Sequence, residues 1–169
     1  MDISVDAAAG MLNWPGGRVR CALGRGGIRA DKREGDGATP TGCFALRRLF
    51  YRPDRLAEPV TGLPVAALTP EDGWCDDPAH PAYNCPVRLP FAAGHERMWR
   101  DDGLYDLVVV LGHNDRPPQP GAGSAIFLHV ARPGYEPTEG CVAVHLQDLL
   151  RLVADCDEQT TLSVTAPYL

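Results

Sequence analysis

Residues 125–145 read AIFLHVARPGYEPTEGCVAVH. The run SAIFLHVA (124–131) is rich in β-branched and aromatic residues and is bounded by Gly and Pro, which predicts a strand with His129 near its end. Pro133, Gly134 and Pro137 specify the following loop by turn chemistry, so it can bring Cys141 back towards that strand end. The spacing is 141 − 129 = 12 positions. A catalytic cysteine attacks as its thiolate and needs a neighbouring base, usually histidine, together with backbone N–H groups for the oxyanion. Cys141 is the candidate nucleophile and His129 the candidate base. Gly140 permits a sharp turn just before the thiol, so the Gly140 and Cys141 N–H groups are the candidate oxyanion donors. The competing reading is structural, since cysteines are among the most buried residues.

Working outward, GRVRCALG (17–24), CFALRRLFY (43–51), LYDLVVVLG (104–112) and TTLSVT (160–165) have the same composition and the same Gly, Pro or Asp boundaries. The fold class expected is mainly β. One helix is expected within HLQDLLRLVADCD (145–157), where Leu146, Leu149, Leu150 and Val153 recur at i, i+3, i+4 and i+7. Met98 and Trp99 are read as the end of a shorter helix or turn. The segment 52–100 has little periodicity and many turn residues, and long ordered loops of this kind are often functional.

The 169 residues, 44% hydrophobic and 22% charged, suit a single domain spanning 1–169. The formal charge of 16 − 22 = −6 argues against a nucleic-acid partner. Lys32 is the only lysine, a bias that codon usage explains. No window approaches the roughly 20 apolar residues of a membrane span, and the first residues carry no visible export signal. Six cysteines leave disulfide pairing open, although a free Cys141 would leave at least one more unpaired. No short-spaced ligand pair indicates zinc, and a His129, Cys141 and His145 ion site ranks low, so neither metal nor cofactor is expected.

These residues resemble the L,D-transpeptidase catalytic domain, the YkuD-like family. Its signature is a strand-borne His, a loop, then Ser/Thr, a variable polar residue, Gly, Cys and a small apolar residue. His129, Thr138, Glu139, Gly140, Cys141 and Val142 match it, and Thr39, Pro40, Thr41 and Gly42 match an upstream TPxG turn. WCDDPAHPAYNCPV and ERMWRDDGLYDLVVVLGHND are similar to a compact, single-domain bacterial branch. The resemblance implies a YkuD-like β-sandwich with a packed helix near the C-terminus. It also implies a cysteine acyltransferase that crosslinks peptidoglycan stem peptides with release of D-Ala. A cell-envelope (periplasmic) location and covalent inhibition by carbapenems are implied as well.

Many members carry Gly after the His, His or Asn before the Gly, and Arg two positions after the Cys. This chain has Val130, Glu139 and Ala143 there. Altered substrate contacts follow, with Arg132 the candidate replacement for the missing carboxylate partner. Thr138, Glu139, His113 and Asn114 are further substrate-binding candidates. The acceptor can be the third or the first residue of another stem, and water would make the enzyme an L,D-carboxypeptidase. A non-catalytic peptidoglycan-binding relic and a cysteine hydrolase of other amides are the rivals. The enzyme reading expects thiolate reactivity near neutral pH, the relic an ordinary thiol.

Overall fold

The computed structural model describes residues 1–166. It opens with strands β1 (Asp2–Asp6), β2 (Met11–Trp14) and β3 (Gly17–Arg20), followed by the two-residue β4 (Ile28–Arg29) and β5 (Thr39–Pro40). The ten-residue β6 (Gly42–Tyr51) precedes β7 (Val65–Ala67), β8 (Asp72–Cys75), β9 (Pro86–Arg88) and β10 (His95–Arg97). The final elements are β11 (Leu107–Leu111), β12 (Phe127–Val130), β13 (Val142–Val144), helix α1 (Leu146–Ala154) and β14 (Thr161–Thr165). Among the described residues the protein is mainly β with one α-helix near the C-terminus, as the composition of its apolar runs predicts.

Nine strands form one mixed sheet in the order β13-β12-β11-β6-β14-β1-β2-β3, with β7 added to β6. Its two ends meet. Ala22, just beyond β3, exchanges both backbone hydrogen bonds with Ala143 of β13, at 2.8 and 2.9 Å. Thr138 adds two more, donating to Leu23 and accepting from Arg25, each at 2.9 Å. The layers of the sandwich are thus parts of one sheet that curls back on itself.

Strand β1 shows why such a sheet specifies its register. Ile3 and Val5 are buried while Asp2, Ser4 and Asp6 face solvent, a strict period of two, and the strand runs parallel to β14 with Ile3 opposite Leu162 and Val5 opposite Val164. In β11, LVVVL is buried on both faces: Leu107, Val109 and Leu111 enter the main core, Val108 and Val110 a second one.

Helix α1 covers the main core. Leu149, Leu152 and Val153 are fully buried, each contributing on the order of 2 kcal/mol, and Leu146 and Leu150 pack beside them. His145 caps it, its Nδ1 accepting from the Gln147 N–H at 3.3 Å, which gives that histidine a structural role in place of a metal ligand's. Asp148 in the first turn and Arg151 in the last suit the helix dipole.

On the opposite face lies the second core, built of Trp74, Met98, Tyr105, Val108, Val110, Phe127 and Cys141 among others. The segment 52–100, in which turns are expected over strands, supplies a roof for this face. Strands β10, β8 and β9 pair there as a small antiparallel sheet, so Met98 and Trp99 follow a strand and do not end a helix.

Candidate active site

The parallel pairing of β12 with β13 sets the site. His129 lies opposite Ala143 and Leu128 opposite Val142, so Phe127, His129, Cys141 and Ala143 fall on one face of the sheet. Leu128, Val142 and Val144 point the other way into the main core. His129 and Cys141 are both buried, 5% and 7% exposed, and both line one cleft of about 200 Å³.

The Cys141 thiol sits between two backbone groups. It donates to the Ala125 carbonyl at 3.3 Å and its sulfur accepts from the Phe127 N–H at 3.4 Å. Burial, then the carboxylate of Glu96, push the thiol up to about 12, against weaker opposing effects of the Phe127 N–H, Lys32 and Arg100. The resting group is therefore a neutral thiol, a departure from the thiolate expected near neutral pH. The fields of Lys32 and Arg100 do not offset desolvation.

His129 is held the same way. Its Nδ1 is 2.9 Å from the Val130 carbonyl, which only accepts, so the proton sits on Nδ1 and Nε2 carries the lone pair. Burial lowers its pKa to about 4. The buried Tyr105 ring stands edge-on at 5.4 Å, and its hydroxyl donates to Glu96 Oε2 at 2.9 Å.

The Thr138-Glu139-Gly140 turn aims the cysteine. Thr138 Oγ1 donates to the Cys141 carbonyl at 2.8 Å and accepts from the Gly140 N–H at 3.2 Å. Thr39 Oγ1 makes a second bond to that carbonyl, at 3.1 Å, while accepting from the Gly24 N–H at 2.8 Å. The two sequence motifs are thus welded at one carbonyl oxygen. Gly140 has φ +127, and a Cβ there would stand 2.8 Å from the Ala38 carbonyl, so no side chain fits. Its N–H is already bonded to Thr138, which leaves the expected pair of oxyanion donors with one: among the described residues nothing accepts from the Cys141 N–H.

Arg132 and Glu139 line the cleft beside Thr138. Arg132 is half-exposed, 4.0 Å from Asp102, and Glu139 pairs with Arg25 at 2.6 Å on the surface. His113 and Asn114 stand elsewhere. His113 Nε2 bonds the Ala122 carbonyl at 2.9 Å, and Asn114 bridges Gln119 and Gly123, so both brace the 115–123 loop and neither lines the cleft. Ala143 is 1% exposed and backbone-paired to Ala22, which leaves no room at that position for a substrate-facing arginine.

Several cleft residues carry no motif. Asp76, Glu96, Arg100, Leu104 and Tyr105 come from the roof and the turn after it, and Lys32 and Glu34 from the loop before β5. Burial raises the Asp76 and Glu96 carboxyls. Arg100 pairs with Asp102 and lies over the Tyr105 ring. Among the described residues no cluster of three or more His, Cys, Asp or Glu is placed to hold a metal, and the six cysteines are free.

A cysteine and a histidine sharing a cleft on one face of a curled mixed sheet define a site of the cysteine–histidine class. Comparison with protein families makes that specific: the YkuD model, described as the L,D-transpeptidase catalytic domain, matches residues 2–164, and the chain belongs to that family. Searches of curated proteins and of solved structures returned no match.

Proposed function

We propose that this domain is a peptidoglycan L,D-transpeptidase working by acyl transfer through Cys141. The observation that carries the reading is the shared cleft, in which a buried thiol and a histidine with its lone pair on Nε2 lie on one sheet face. As substrate enters, the Cys141 proton passes to His129 Nε2 and sulfur attacks the carbonyl of the L-centred third residue of a tetrapeptide stem. The tetrahedral intermediate collapses, His129 returns the proton to the departing amine, and D-Ala leaves. A thioester remains. An amine of a second stem attacks it, His129 taking the acceptor's proton and returning it to the thiol.

Arg132 and Thr138 at the rim are proposed substrate contacts, Arg132 for a carboxylate. The acceptor is the third or first residue of the second stem; water would give carboxypeptidase activity instead. Mass profiling of muropeptide products separates these outcomes, and ordinary crosslinks between third residues alone would count against an atypical acceptor. The proposed place of action is the cell envelope. No helix among the described residues is long and apolar enough to cross a membrane.

One observation favours a second reading, a peptidoglycan-binding relic: the thiol is buried and bonded to the Ala125 carbonyl at 3.3 Å, surroundings that push it up to about 12. Meropenem decides between them. The transferase forms one covalent adduct on the wild type and none on Cys141→Ala, whereas the relic forms none on either.

A further inference from the structure

Hydrogen-bond donors placed around the oxygen on which charge develops speed acyl transfer, each by a large factor. The nucleophile turn supplies one. The Gly140 N–H is spent on Thr138 Oγ1, so only the Cys141 N–H is left there.

Lys32 stands beside this gap. Its side chain is only 5% exposed, a costly place for an ammonium, and it lines the cleft with Cys141. An ammonium has three N–H donors. Two are engaged, one by the Arg33 carbonyl at 2.9 Å and one by Asp36 Oδ1. Asp36 is itself fixed by the Arg33 and Ala38 N–H groups at 2.9 and 2.8 Å. The lysine stem is packed so closely that a Cβ on Gly123 would lie 3.0 and 3.1 Å from its Cγ and Cε. The ammonium is thus held in place, and a Cβ on Gly140 would stand 3.6 Å from Nζ. That puts the cation next to the residue preceding the nucleophile, with one donor uncommitted.

We infer that the third N–H of Lys32 completes the oxyanion hole with the Cys141 N–H, a catalytic role that rests on the acyl-transfer reading. As sulfur bonds to the carbonyl carbon, the π pair moves onto oxygen and is held between these two donors. When the bond to the leaving amine breaks, the pair returns to re-form the carbonyl.

The test compares two reactions of the same thiol. Acylation by 4-nitrophenyl acetate passes through an oxyanion and involves no substrate carboxylate; alkylation by iodoacetamide has no oxyanion. Lys32→Met should slow single-turnover acylation of Cys141 roughly 100-fold or more, while alkylation at the same pH falls far less, since Lys32 has only a weak effect on the thiol itself. Lys32→Gln, which keeps an N–H donor near Asp36 without the charge, should be slower than wild type by a smaller factor, and it serves if thermal melting shows Lys32→Met unfolded. Acylation at the wild-type rate in whichever variants fold overturns the inference. So does a parallel fall of both reactions, which would mean that Lys32 acts on the thiol itself or on the fold. A wild type whose Cys141 is alkylated but never acylated overturns the transferase reading and this inference with it.

Discussion

Cys141 and His129 occupy surroundings that penalise charge, and each is left neutral: the thiol near 12, the imidazole near 4. Thiol with imidazole and thiolate with imidazolium hold the same number of protons, so acylation by the proposed route should be flat between about pH 5 and about pH 9. His129→Ala should lower the neutral-pH rate about 100-fold or more and make it climb tenfold per pH unit. A wild-type rate that climbs in that way would contradict general-base help from His129. Asn84 shows the same economy of polar groups in structural form. Its Oδ1 accepts from Trp74 Nε1 and the Ala125 N–H at 3.0 Å each, and its Nδ2 donates to the His113 and Asn114 carbonyls at 3.0 and 2.8 Å. Asn84→Ala orphans several buried partners and should cost about 3 kcal/mol in denaturant unfolding. Since Ala125 holds the thiol, it should also change the alkylation rate of Cys141.

Among the elements, β12, β13 and the turn between them are where sequence and site meet. Thr39→Val keeps the shape of the side chain but removes one of two donors to the Cys141 carbonyl and orphans the Gly24 N–H; about 2 kcal/mol should be lost, with slower acylation as the nucleophile loosens. Unchanged stability and rate would show that the weld between the motifs is incidental. Strand β12 is legible because its apolar run is bounded by Gly and Pro, and the helix because its leucines repeat every third or fourth position, whereas the three-residue β13 is too short to read as a strand. Boundaries shift where backbone geometry overrides the local pattern. Leu104 and Tyr105 read as strand but lie in a turn, where Gly103 has φ +81 and the Asp102 carboxylate accepts from the Leu104 N–H, and that turn sets Tyr105 against His129. Ala125 likewise leaves the strand pattern with φ +53, which aims its carbonyl at the thiol. β1 was missed although DISVD alternates cleanly, since aspartates are poor strand formers and its partner β14 lies at the far end of the chain. Glu96, Arg100 and Lys32 reach the cleft through long-range folding of turn-rich segments, which no local spacing encodes. The uniqueness of Lys32 was a signal, indistinguishable in composition from codon bias.

At the scale of the whole molecule, the curled sheet keeps one core under α1 and another under the β8–β10 roof, and the proposed chemistry takes place in the second. Burying His129 has a global consequence. The unfolded chain protonates His129 near 6.5 and the folded one near 4, so the unfolded state gains a proton first as pH falls. Stability from this group is complete above about 6.5 and disappears by about pH 4, a change of about 3 kcal/mol. Wild type should therefore lose about 3 kcal/mol more than His129→Gln between about pH 7 and about pH 4 in denaturant titrations, and equal losses would mean the histidine is solvated in the fold. The central claim, that Cys141 carries the acyl group, is tested most directly by incubating wild type and Cys141→Ala with a disaccharide-tetrapeptide and recording intact masses and released amino acid. The account predicts a thioester adduct on wild type alone, with D-Ala in solution. D-Ala released equally by the alanine variant, or no adduct and no D-Ala from either, would contradict it.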